Sequence, residues 1–388
     1  MNKIDEILTR SVTNIIPSKK KLEELLKSNQ KINVYFGIDP TATRIHLGNS
    51  VPLRKLQQFV ALGANVTFLI GDFTALIGDT SDKESERPIL TYDQIQENFK
   101  NYQKQASKLV DFSKVKVVHN SEWLKKLSFE DIIKLCQHFS FGDFASRELI
   151  AKRLKEGKKV GLHEALYPVM QGYDSYYLNT DIQIGGADQT FNMQAGRILQ
   201  KDIRNKESFV IVTGYLEGTD GRKMSKSWGN AIWLDDEPDE MFGRIMSVRD
   251  DLILTYFTLA TNLPSAEVAK KEKRLKEGEN PINLKIELAL QIVTELHGEK
   301  EAEMAREKFS KTFQKKDPEF KTKMPNKGTL AQTLAPFTRL SSVSEAKRLI
   351  NAGAVELNKK VITNPNQVTN VGDQIKWGKR GFGTVVEK

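Results

Sequence analysis

The sequence predicts an α/β protein: a parallel-sheet domain, then an all-α body, then a small α+β body. Three observations predict it. Apolar runs at Val34–Ile38, Asn65–Gly71 and Lys114–His119 are separated by helical patterns, the βαβ rhythm of a parallel sheet. From Pro238 to about Thr322 helical periodicity runs on with no strand pattern. Residues 330–388 then mix one short helix with strand pairs around turns. A chain of 388 residues is also too long for a single core.

Composition narrows the function classes. Hydrophobic residues make up 39% and charged ones 28%, ordinary for a globular chain. No apolar stretch is long enough to span a bilayer, and residues 1–16 carry charge throughout. We therefore expect no membrane association, no signal peptide and a cytoplasmic setting. The single Cys136 excludes an internal disulfide and a cysteine-based metal cluster. A net charge of +9 favours a polyanionic partner, although lysine-rich surfaces reach such values without one.

In chain order, residues 1–30 read as helical, with Leu22, Leu25 and Leu26 on one face. The first strand, Val34–Ile38, contains Gly37, where a missing side chain lets something approach the backbone. Asp39-Pro40-Thr41 turns the chain. His46-Leu47-Gly48-Asn49 then opens a helix that continues through Leu53, Leu56 and Phe59. A strand, a turn and a helix N-terminus make an anion site. His46 and Asn49, three apart, share one face of the first turn as two neutral donors suited to a triphosphate. A helix cap plus a surface histidine accounts for the tetrapeptide equally well.

The polar segment Thr74–Arg87 lies at the carboxyl end of the second strand, where α/β sheets bind ligands. Asp79 suits an ammonium group, and Lys83 and Arg87 suit phosphates; a solvated loop is the alternative for both cations. Tyr92–Val110 is an amphipathic helix, and Lys114–His119 the third strand. Residues 124–165 interrupt the rhythm as a helical insertion. Phe139, Phe141 and Phe144 cluster there, as a subunit interface or as core. Part of the Lys- and Arg-rich run Leu149–Val160 is expected to be solvated or to face a polyanion.

Tyr167, Gln171 and Asp174 are spaced four and three, one stripe of a helix and one polar pocket wall. Asp181–Gln189 is a fourth strand running through Gly185-Gly186 into a helix start, with Asp188 and Gln189 at the ligand end. The fifth strand, Phe209–Thr213, leads to Lys223-Met224-Ser225-Lys226-Ser227 between Gly221 and Gly229, a mobile cationic clamp. Residues 314–329 carry Pro, Gly and Lys without apolar period and read as a linker. Beyond it, Ser344–Ile350 is a short basic helix, and Ala354–Asn358 and Lys360–Thr363 are strands around a turn. Lys347, Arg348, Lys359, Lys360, Lys379 and Arg380 form an electrostatic footprint for nucleic acid.

These motifs carry a family resemblance. His46-Leu-Gly-Asn49 resembles the HIGH signature of class I aminoacyl-tRNA synthetases, and Lys223–Ser227 matches their KMSKS signature in full. Tyr35–Thr41, Tyr167–Asp174 and Gly185–Gln189 are similar to bacterial tyrosyl-tRNA synthetases, and residues 341–365 to the small RNA-binding domain shared with ribosomal proteins. Asn49 departs from the usual second histidine; since Asn also donates to a nucleotide, activity is expected to survive.

The resemblance implies a Rossmann-like catalytic domain over 1–229, a helical anticodon-binding domain over 230–322, a linker at 323–329 and an RNA-binding domain over 330–388. It implies a ligase that activates tyrosine with ATP and Mg²⁺, holds no metal of its own, transfers the tyrosyl group to tRNA and works as a homodimer. His46, Asn49, Lys83, Arg87, Lys223 and Lys226 would serve catalysis. Tyr35, Asp39, Asp79, Tyr167, Gln171, Asp174 and Gln189 would bind tyrosine. Gly37, Thr41, Gly48, Gly185 and Asp188 would join His46, Asn49 and Lys226 around ATP. Lys347, Arg348, Lys359 and Lys360 would touch RNA. Three other readings compete: the tryptophanyl enzyme, a non-catalytic RNA-binding protein on a synthetase scaffold, and a nucleotidyltransferase. Tyr35 facing Asp174 argues for a phenolic substrate against the first. Retention of both signatures argues against the second, and the C-terminal module against the third.

Overall fold

The computed structural model describes residues 3–28, 30–41, 43–78, 91–225, 227–314, 320, 322–378 and 381–387. Two compact units divide it, residues 1–302 and 303–388.

In the first unit six strands form one sheet: β1 (Val12–Ile16), β2 (Asn33–Ile38), β3 (Asn65–Ile70), β4 (Val115–His119), β5 (Ile182–Gly186) and β6 (Phe209–Thr213). Their order is β1-β6-β5-β2-β3-β4. All neighbours are parallel except the edge strand β1, which runs antiparallel to β6. Strand β1 corrects the helical expectation for residues 1–30. Val12-Thr-Asn-Ile-Ile16 is β-branched and half exposed, as suits an edge, and separates helices Lys3–Thr9 and Lys19–Lys27.

Strand order reverses between β2 and β5. Beside β3, β2 pairs along its whole length, Asn33 to Ile38. Beside β5 it pairs only at Val34–Ile182 and Tyr35–Gln183. Past those residues the two strands part, and a crevice opens at their carboxyl ends, the ligand position of an open parallel sheet. The crossover from β2 to β3 is the helix Leu47–Leu62, closed by Gly63 at φ 87°, a left-handed cap. Its apolar stripe Leu47, Val51, Leu56 and Phe59 is fully buried against the sheet.

The insertion between β4 and β5 is helical as expected, but its phenylalanines do not form one patch. Phe144 is buried, Phe139 packs partly buried against Leu135, Val169 and Leu199, and Phe141 alone is 65% exposed. Spacing placed them together without deciding which face each takes. Arg153, from the basic run, is likewise buried: it holds Glu164 at 2.7 and 3.0 Å and the Lys159 carbonyl at 2.6 Å. Five helices follow β6, beginning at Pro238 and ending at Phe309.

The second unit has a five-stranded sheet in the order β7-β11-β10-β8-β9, made of β7 (Thr322–Pro325), β8 (Val355–Leu357), β9 (Lys360–Val361), β10 (Gln374–Trp377) and β11 (Gly381–Val386). Strand β7 falls on the expected linker. It pairs in parallel with β11 from Thr322–Gly383 to Pro325–Val386, and its Met324 is fully buried in that unit's core. Lys347 and Arg348 stand exposed on the helix Val343–Asn351. Lys359 and Lys360 are exposed at the β8–β9 turn, where Asn358 and Lys359 both take left-handed φ values, 51° and 67°. That is the twist a two-residue hairpin requires.

Candidate active site

The crevice beside β2 and β5 is a cavity of about 410 Å³. Tyr35, Gly37, Asp39, Thr41, His46, Gly48, Asn49, Tyr167, Gln171, Asp174, Gly185, Asp188, Gln189 and Lys223 all line it. Each was picked out by sequence, and strands, helix and loop far apart in the chain bring them together. Asp79, Lys83, Arg87 and Lys226 lie outside the described residues, as do Lys379 and Arg380.

One wall is a buried polar network. The Tyr167 hydroxyl donates to Asp39 Oδ2 at 2.8 Å, and the Thr74 hydroxyl donates to Asp39 Oδ1 at 2.8 Å. Asn120 Nδ2 reaches Thr74 Oγ1 at 3.0 Å and Asp174 Oδ2 at 3.1 Å. Trp123 Nε1 donates to Asp174 Oδ1 at 2.7 Å. The two carboxyl groups are thus bridged through Thr74 and Asn120. Packing is close here: a Cβ at Gly71 would sit 2.0 Å from Asp39 Oδ1 and 2.4 Å from Thr74 Oγ1, so any larger residue would displace this pair.

Asp174 is 2% exposed, and burial pushes its pKa up to about 8; its two donors oppose that rise, and Asp39 and Asp72 add to it. Burial likewise raises the pKa of Tyr35, with Asp174 adding repulsion. The Tyr35 hydroxyl donates to Gln183 Oε1 at 3.2 Å, and the Gln171 amide opposes the rise in its pKa. Gln183 Nε2 is held by the Met193 carbonyl at 2.9 Å. A pocket lined by a phenol, an amide and a carboxyl offers complementary partners to a phenolic ligand.

The other end of the cavity is built on the helix start. His46 is the N-cap of Leu47–Leu62: its Nδ1 accepts from the Asn49 N–H, and Asn49 Oδ1 accepts from the His46 N–H, both at 3.3 Å. The capping reading and the anion-site reading therefore coexist. With Nδ1 accepting, the neutral ring carries its proton on Nε2. Burial, with the Lys223 charge adding to it, lowers the His46 pKa to about 4, so the ring is neutral at pH 7. The edge of Trp233 meets the His46 ring at 5.8 Å between centroids.

Sequence reasoning passed over Asn120, Trp123, Thr74 and Gln183. For Thr74, Asn120 and Trp123 the signal available was their place just past the carboxyl ends of β3 and β4, whereas Gln183 lies at the amino end of β5; their partners lie 35 to 148 residues away.

Comparison with known proteins gives the family and the fold. The model for "tRNA synthetases class I (W and Y)" matches residues 27–314, and the S4 domain model matches residues 339–375. The tyrosine–tRNA ligase of Carboxydothermus hydrogenoformans is 42% identical, covering 98% of this chain and 97% of its own. That of Thermotoga maritima is 39% identical over 97% and 96%. Among solved structures, a C-terminally truncated mitochondrial tyrosyl-tRNA synthetase from Aspergillus nidulans superposes with a TM-score of 0.67 at 21% identity, covering 80% of this chain and 94% of that one.

Proposed function

The chain belongs to the tyrosine–tRNA ligases of class I, and from that premise we propose which of its residues carry the reaction. The family's reaction is the ATP-dependent joining of L-tyrosine to its tRNA through tyrosyl adenylate, with release of pyrophosphate and AMP. Tyr35, Gln171 and Asp174 would receive the phenolic hydroxyl and ring of tyrosine. Tyr167, Asp39, Asp79 and Gln189 would hold its ammonium and carboxylate end. The carboxylate then attacks the α-phosphate, and pyrophosphate leaves. Both reactants are anionic, so catalysis is positioning and charge stabilisation, without a protein nucleophile.

His46, as a neutral Nε2–H donor, and Asn49, whose amide nitrogen the cap leaves unused, would bind the phosphate and ribose region. Gly37, Thr41, Gly48, Gly185 and Asp188 would border the nucleotide, with Asp188 on the ribose. Lys223, Lys226, Lys83 and Arg87 would hold the departing pyrophosphate. ATP would arrive as its Mg²⁺ complex; among the described residues no cluster of His, Cys, Asp or Glu is suited to hold a metal. The helices after residue 230 would receive the anticodon end of the tRNA. Residues 330–388, with Lys347, Arg348, Lys359 and Lys360, would supply a second RNA contact. A cytoplasmic homodimer joined through the insertion completes the reading; no described helix is long and apolar enough to cross a membrane.

The observation that carries these assignments is the convergence of the Tyr35–Gln171–Asp174 wall and both signature motifs on one cavity. The same wall favours tyrosine over tryptophan, since an indole would leave buried polar groups unpaired. The direct test is Asp174→Ala. Tyrosine-dependent pyrophosphate exchange should collapse while the circular dichroism spectrum is kept; normal exchange would remove Asp174 from the site.

A further inference from the structure

We propose that Asn230 is a positioning residue for adenylate formation: it sets the backbone from Lys223 to Ser225 and so the placement of Lys223. The proposal rests on the catalytic reading above. Asn230 is 3% exposed and lines no part of the cavity. Its Oδ1 accepts the Ser225 N–H at 2.8 Å, while its Nδ2 donates to the Lys223 carbonyl at 3.1 Å and to Asp220 Oδ1 at 2.7 Å. One amide therefore grips the chain on both sides of Met224 and ties that grip to the preceding turn. Both its N–H donors are used.

The seat for this amide is built. A Cβ at Gly218 would lie 2.3 Å from Asn230 Nδ2, so the chain passes directly against it. The Thr219 N–H donates to the Asn230 carbonyl at 3.0 Å. Asp220 is fixed in turn by the Arg222 N–H at 3.0 Å and its guanidinium Nε at 2.8 Å. The Asn230 side-chain Nδ2–H is the largest cause that holds the Asp220 carboxyl down at about 2, so the bond between them is charge-assisted.

The strap that begins at Asn230 continues to the other signature. Leu47 N–H donates to the Ile232 carbonyl and Leu234 N–H to the Ile45 carbonyl, both at 2.9 Å, and Trp233 between them meets His46. Residues 230–234 thus hold the cationic loop at one end and the helix mouth at the other. Charge stabilisation of a leaving pyrophosphate depends on where the cation stands, and a displacement of about 1 Å can cost about 100-fold in rate.

The experiment uses the full chain and compares wild type, Asn230→Ala, Lys223→Ala and the double variant by tyrosine-dependent pyrophosphate exchange, with tyrosine affinity from equilibrium dialysis. Asn230→Ala should lower kcat about 10- to 100-fold and leave tyrosine affinity unchanged. In the Lys223→Ala background it should add little, because the cation it places is already gone. A wild-type kcat, an equal loss of tyrosine affinity, or losses that multiply in the double variant would overturn the proposal. If Asn230→Ala fails to fold, Asn230→Asp serves: it keeps the acceptor for Ser225 but faces Asp220 with a carboxylate. The same fall in kcat supports the proposal there, and a wild-type kcat overturns it. A wild type without tyrosine-dependent exchange would remove the catalytic reading and the proposal together, and shows before any variant is compared.

Discussion

The indole N–H of Trp123 donates to Asp174 Oδ1 at 2.7 Å, deep in a wall where that carboxyl is 2% exposed. Two donors do not offset burial, which leaves its pKa at about 8. An unfolded aspartate titrates near ~3.9. Between those values the folded protein keeps a proton that the unfolded chain has lost, so unfolding releases it and rising pH favours unfolding. Stability should therefore decline from about pH 4 to about pH 8 on account of this group. Urea denaturation across that range should show a shallower decline in Asp174→Asn; an identical slope would mean that Asp174 is not the group responsible.

His46→Ala should slow adenylate formation about 100-fold, the usual cost of one lost donor to developing charge. Because the His46 pKa is about 4, the rate should show no step near the ordinary histidine value. Lys223→Ala and Lys226→Ala should also cost rate far more than tyrosine affinity. Asn49→Ala removes half of the capping box and should cost about 1 kcal/mol of stability; Asn49→His should be tolerated. Stopped-flow adenylate formation and thermal denaturation read these outcomes.

Phe141 is 65% exposed, as are Phe129 at 78% and Ile133 at 48% on the neighbouring insertion helix. Exposed apolar side chains of this kind suit contact with a second copy of the chain. Phe141→Asp should yield a folded monomer by sedimentation, with association weakened by about 2 kcal/mol or more. An unaltered dimer would place the interface elsewhere. The change is not expected to unfold the protein, since the side chain is not core.

Local patterns were legible in the sequence, and distant partnerships were not. The β2–turn–helix unit and the Tyr167–Gln171–Asp174 stripe follow from strand and helix periods within a few residues. Asn120 and Asp174 meet across 54 positions, and Tyr35 and Gln183 across 148, so the buried polar network exists only once the strands are ordered. Strand β1 was hidden by its length and its helical flanks. Strand β7 was hidden because Thr322–Pro325 pairs with a strand near the end of the chain.

That pairing fixes where the chain can be cut. Removing residues after Gln314 spares the cavity beside β2 and β5 and takes away β7 with the sheet it belongs to. Pyrophosphate exchange should stay near normal and aminoacylation should fall about tenfold or more, with a shallower salt dependence of tRNA binding as phosphate contacts are lost. If charging falls no more than exchange does, the second unit does not bind tRNA.

The most direct measurement is pyrophosphate exchange driven by each of the twenty amino acids in turn. Tyr35, Gln171 and Asp174 would be left with unpaired buried polar groups by phenylalanine and mismatched by tryptophan. Tyrosine alone should drive exchange, and Asp174→Ala should abolish it. Strong exchange with tryptophan and none with tyrosine would contradict the account.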